Sequence, residues 1–166
     1  MILNAFTLFH VLLSLVGIAA GLVVVFGLLG SKRLDGWTAL FLTTTAATSV
    51  TGFFFPFHQF LPSHAVGILS LIVMGIAYIA RYRSRLAGPW RRTYAITAVI
   101  ALYFNVFVLI AQLFQKVPAL KELAPTQSEP PFLITQLAVM LLFVILGIRA
   151  AMKFRPDAAK VAATAA

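Results

Sequence analysis

The sequence predicts an all-α integral membrane protein, a bundle of five transmembrane helices. Three observations predict it. The 166 residues are 61% hydrophobic and 10% charged, with a mean hydropathy of +1.00, whereas a water-soluble domain is roughly 45–50% apolar and about 25% charged. The apolar residues fall into five runs bounded by glycine, proline or charge, and a bilayer span needs about 20 such residues. The cations lie between the runs, so threading the runs through a bilayer sorts the charge by side.

The first run extends from about Ala5 to Leu29. No Lys or Arg precedes Lys32, and a cleaved signal peptide opens on a basic stretch, so the run reads as a retained helix. It carries the small-xxx-small pair Gly17 and Gly21, which lets backbones approach where lipid supplies no hydrophobic drive. His10 and Ser14 share that face. Gly30, Ser31 and Gly36 punctuate the loop that follows. The second run, from about Trp37 to Phe55, sets Thr44, Thr48 and Thr51 on one side beside Ala47, a packing stripe. Gly52 and Pro56 end it, and Phe53, Phe54, Phe55, Phe57 and Phe60 crowd the hairpin to the next run.

The third run, from about His64 to Ile79, is short and starts after Pro62 and Ser63. Gly88 and Pro89 break the basic loop behind it. The fourth runs from about Tyr94 to Gln115. The polar, proline-set loop from Lys116 to Pro131 has room for a short turn around Ala119 to Leu123. The fifth runs from about Pro131 to Ile148, and Pro130 and Pro131 suit the start of a helix, where no intrahelical donor is needed. Residues 1–156 form one transmembrane domain, and 157–166 read as a flexible, Ala-rich cytoplasmic tail. No internal repeat is visible, which argues against an inverted-repeat transporter.

Eleven of the thirteen cations come to one face: Lys32 and Arg33; Arg81, Arg83, Arg85, Arg91 and Arg92; Arg149, Lys153, Arg155 and Lys160. Only Lys116 and Lys121 fall on the other. Cytoplasmic loops carry the excess of Lys and Arg, so the N-terminus is expected outside and the C-terminus cytoplasmic. Trp37, Tyr82, Trp90 and Tyr94 would form an aromatic belt at the inner interface.

The net charge of +9 does not signal nucleic acid, because no basic face with interleaved aromatics lies outside the spans. The arginines Arg81, Arg83, Arg85, Arg91 and Arg92 could also hold lipid phosphates. With no cysteine, disulfides, thiolate metal sites and cysteine nucleophiles are excluded. No Gly-x-Ser-x-Gly, His-Glu-x-x-His or P-loop pattern is present, no catalytic residue is assigned, and the sequence argues against an enzyme.

What remains is a polar constellation toward the outer side. Intramembrane polar groups are costly and turn inward to find partners. His10, Asn105, Gln112 and Gln136 are the candidate ligand-binding residues, and the expected role is that of an accessory subunit or a small-ligand binder. In the alternative reading two of His10, His58 and His64 ligate a metal or haem iron, although the spans do not require a cofactor. A small transporter or channel is a second alternative, weakened by the lack of charge within the spans. The expected partners are the lipid bilayer and a larger membrane complex or further copies of the chain.

The segments Leu102-Tyr103-Phe104-Asn105-Val106-Phe107-Val108 and Ala124-Pro125-Thr126-Gln127-Ser128-Glu129-Pro130-Pro131 resemble elements of small uncharacterised bacterial polytopic inner-membrane proteins. That resemblance implies the bacterial inner membrane and transfers no activity. It draws attention to Asn105 and to the outer loop, whose residues Thr126 to Glu129 would cap the fifth helix or meet the histidines.

Overall fold

A computed structural model of the protein describes residues 2–56 and 62–156. All regular structure among them is helical: α1 (Ile2–Leu29), α2 (Asp35–Gly52), α3 (Pro62–Tyr78), α4 (Trp90–Lys116), α5 (Pro118–Leu123) and α6 (Pro130–Lys153). A π-helical turn, Ile79–Arg83, continues α3. The expected tail, 157–166, and His58 lie outside the described residues. Each of the five runs became a helix, four of them extended by a few residues at the ends; the second stops at Gly52 rather than Phe55, and the turn expected between the fourth and fifth runs is α5.

Among the described residues four helices are long and apolar enough to cross a membrane: α1, α3 with its π turn, α4 and α6. α2 falls short by composition because it is rich in threonine, although its 18 residues span about 27 Å. Its hydroxyls are less polar than their number suggests. Thr44, Thr48 and Thr51 each donate to the carbonyl four residues back, at 2.7–2.8 Å, so the protons are satisfied within the helix.

α4 is the central helix, packing against α1, α3 and α6, while α1 and α2 run alongside each other. Tyr94, Ala95, Ala98, Ala101 and Leu102 on α4 are fully buried, at 0% exposure, as is Phe41 on α2. α6 is mostly bare: Ile134, Leu137, Leu141 and Ile148 are exposed, as residues facing lipid tails would be.

Small residues bring α1 close to α2 and α4. A Cβ added at Gly21 would lie 2.7 Å from Leu102 Cδ1 and 2.8 Å from Phe41 Cε2. One added at Gly17 would lie 3.1 Å from Thr44 Oγ1 and 3.2 Å from Thr45 Oγ1. Asn105 Nδ2 donates to Thr45 Oγ1 at 3.0 Å just there, tying α4 to α2 beneath α1. The shared face predicted for Gly17 and Gly21 is therefore the seam of three helices.

The three basic clusters converge at one end. Arg81 Nη2 donates to Arg33 O at 3.2 Å, and the backbone amide of Arg155 donates to Ser31 Oγ at 2.7 Å. The wide π turn directs Ala80 and Arg81 into the bundle while Tyr78 and Tyr82 stack outside it, ring centroids 4.9 Å apart. Tyr94, expected in an interfacial belt, is instead in the core. Trp37, Tyr82 and Trp90 stay exposed.

Overpacking at Gly21 has no room to relax, because both neighbours are themselves buried. Gly21→Ala is expected to cost about 1–3 kcal/mol, read as a lower thermal midpoint of the detergent-solubilised protein. Gly75→Ala, where a Cβ meets nothing within 4 Å, is expected to be neutral or slightly stabilising.

Candidate functional site

At the end opposite the basic clusters, α1, α2, α3 and α4 enclose a cavity of about 460 Å³. His10 and Ser14 contribute from α1, Thr48, Ser49 and Gly52 from α2, His64, Gly67 and Ser70 from α3, and Asn105, Gln112 and Lys116 from α4. Phe53, Phe55 and Phe104 supply aromatic walls. Three of the four expected ligand-binding residues, His10, Asn105 and Gln112, thus meet in one place, and His64 joins them.

Gln136, the fourth, is not part of this wall. Its Nε2 donates to Phe107 O at 3.1 Å and pins α6 to α4, while its buried Oε1 has no partner among the described residues. Gln136 shares an approximate depth with the other polar residues but sits on the far side of α4, a distinction that depth along a sequence does not carry.

Local bonds fix the walls. His10 Nδ1 and Thr51 Oγ1 lie 2.8 Å apart, and the imidazole meets Phe55 edge-on, centroids 5.0 Å apart. Phe53 lies against His64, centroids 5.9 Å apart. Ser49 Oγ donates to Ser70 Oγ at 3.3 Å, joining α2 to α3. The cavity deepens from Lys116 and Pro56 toward Ile18 and Asn105, a drop along α4 of about 16 Å.

The loop between α4 and α6 folds on itself, and none of its residues lines the cavity. Glu129 accepts from Thr126 Oγ1 at 2.8 Å and from the amides of Thr126 and Ser128. Desolvation acts to raise this carboxyl, but those hydrogen bonds outweigh it and hold it below the ordinary carboxylate range. Gln127 Nε2 donates to Ala111 O at 2.6 Å and docks the loop on α4.

The arginine cluster is divided. Arg83, Arg85 and Arg92 are exposed and Arg91 is half-buried. Arg81 is only 2% exposed, is ion-paired to Asp35 and lies over the Tyr94 ring, 5.0 Å from its centroid. Tyr94 Oη and Thr38 Oγ1, 3.2 Å apart, complete the group. Sequence reasoning missed Asp35, yet a signal existed: it is the sole carboxylate between Met1 and Glu122. It also missed Ser49 and Ser70, which look like ordinary packing residues.

Among the described residues no group of three or more His, Asp or Glu is placed to hold a metal ion. Compared with known proteins, the chain matches no family model, no curated protein and no solved structure.

Removing the partner of a buried cation leaves it uncompensated, so Asp35→Asn is expected to destabilise the protein. Asp35 itself is 72% exposed, and water screening holds the loss to about 1–3 kcal/mol. Adding Arg81→Leu should restore most of the lost thermal stability; an additive double variant would show that the pair does not act as a unit.

Proposed function

We propose that the protein is a multi-pass protein of the bacterial inner membrane that binds a small amphiphile in the cavity beside His10. In this reading α2 is a fifth span, the N-terminus lies outside, and the basic end faces the cytoplasm. The convergence of Arg33, Arg81 and Arg155 at one end supports that orientation, because an anionic inner leaflet attracts such a cluster. α2 packs along α1 as a span would, with its hydroxyls bonded inward.

The cavity itself carries the binding reading. Its volume of about 460 Å³ falls within the roughly 300–1,000 Å³ of small-molecule sites, which are largely apolar with a few convergent polar groups. Aromatic rings line one part of the wall and imidazole, amide and hydroxyl groups another. That division fits a molecule with a ring or chain and a compact polar head. The role in this reading is binding, either alone or as an accessory subunit of a larger membrane complex.

Native mass spectrometry of protein extracted from its own membrane tests this. A bound species of a few hundred daltons is expected on the wild type and is expected to be lost from Ser14→Phe, which fills the cavity. Bare wild-type protein, or equal retention by both, would refute the reading.

A second reading has a specific observation behind it. His10 and His64 line one cavity, and His10 has its Nδ1 engaged by Thr51, as metal-bound histidines have their second nitrogen engaged. Haem or metal ligation by this pair would give purified protein a Soret band or bound metal that His10→Ala abolishes. Colourless, metal-free protein would dismiss it.

A further inference from the structure

We infer that the cavity selects a ligand that donates hydrogen bonds, and that the occupant is a hydroquinone-type amphiphile rather than its oxidised, carbonyl-bearing form. This rests on the binding reading above and adds to it the chemical identity of the head group.

A hydroxyl has one proton to give and lone pairs to receive with. Ser14 Oγ donates to Val11 O at 2.8 Å. Thr48 Oγ1 donates to Thr44 O at 2.8 Å. Both side chains line the cavity, so what they offer it is lone pairs. Thr51 Oγ1 donates to Ala47 O at 2.7 Å, which leaves it an acceptor toward His10. His10 Nδ1 must therefore be the protonated nitrogen of the 2.8 Å contact. In the neutral ring that fixes the tautomer, and Nε2 is left as an acceptor. The placement of this proton follows from the hydrogen-bond network.

Asn105 stands at the floor with an acceptor of its own. Its Nδ2 donates to Thr45 Oγ1 at 3.0 Å, and its Oδ1 accepts from no described protein group. Protons to offer remain on the other walls: the second amide hydrogen of Asn105, the hydroxyl of Ser70, which accepts from Ser49, and, at the mouth, the Lys116 ammonium and the Gln112 amide. Against the wall where His10 Nε2, Ser14 Oγ and Thr48 Oγ1 present lone pairs, a quinone carbonyl would meet no proton. A hydroxyl would meet acceptors, and a site built for a donor rejects the analogue that lacks it.

The spacing suits a ring with a hydroxyl at each end. Asn105 lies level with Gly17, whose added Cβ would be 3.6 Å from Asn105 Nδ2. His10 is seven residues earlier, about 10 Å along the helix. The para oxygens of one six-membered ring, with a hydrogen bond of about 2.8 Å at each end, bridge that interval. Phe55 and Phe104 border the space between, giving the ring aromatic faces to pack on.

The test is calorimetric titration of the detergent-purified full chain with three probes that share one short prenyl tail. They are the hydroquinone, kept reduced and anaerobic, its quinone, and its dimethyl ether. The hydroquinone is expected to bind at least tenfold more tightly than either of the others. His10→Phe should reduce the hydroquinone to the level of the ether. Thr48→Val, nearly isosteric and so safe for folding, should weaken it several-fold and leave the ether unchanged. Equal binding of the three, or tighter binding of the quinone, would overturn the inference. So would binding of none of them. If a native amphiphile is still retained by wild type and lost from Ser14→Phe, the cavity remains a binding site and only its donor selectivity falls. If that species is absent as well, the binding reading falls with it.

Discussion

The close approach of α1 to α2 and α4 at Gly17 and Gly21 is the constraint on which the rest of the structure depends. Lipid tails are as apolar as leucine, so helices in a bilayer associate through contact and hydrogen bonding. Two missing side chains let α1 settle onto Phe41, Thr44, Thr45 and Leu102. Toward the basic end that contact continues as a dense core of Val24, Leu28, Ala95 and Ala98. Toward the other end the facing residues become Ser14, Thr48 and Asn105, and space opens among them. One seam thus fixes both the solid half of the bundle and the floor of its cavity.

The second organising principle is the satisfaction of polar groups away from water. Hydroxyls of α2 turn back to their own helix, which lets a threonine-rich segment lie among apolar ones. The same bonds decide what the cavity offers a ligand, since a proton used within the wall is not available inside the space. At the basic end a guanidinium is held by Asp35, Arg33 O and the face of Tyr94. That arrangement removes Arg81 from the surface and leaves Arg83, Arg85 and Arg92 to face the solvent or headgroups. Polar side chains gather mainly at two ends, one closed by the Arg81–Asp35 pair and one holding the cavity.

Much of this was legible in the sequence because bilayer physics writes in long words. The apolar runs, prolines and charge clusters gave the helices and the common end of the cations. The small residues at 17 and 21 marked the seam through their spacing alone. His10, Asn105 and Gln112 were found because polar side chains inside apolar runs are rare. What stayed hidden depended on rotation and on partners. Gln136 lies at the right level on the wrong side of α4. Tyr94 looked interfacial by position, yet a π turn in a different helix brings Arg81 onto its face and the pair goes inside. Asp35 paired across 46 residues, a distance at which no periodicity speaks.

The chain has no cysteine, so a single introduced thiol reports on one position without background. The most direct measurement is therefore the labelling of Ser14→Cys by a small membrane-impermeant thiol reagent applied to the outer face of intact cells stripped of their wall. The account predicts rapid modification at position 14, deep in the bundle yet open to that side, and none at Ile72→Cys on the bare face of α3. Labelling of position 14 only after the inner face is exposed, or not at all, would contradict it.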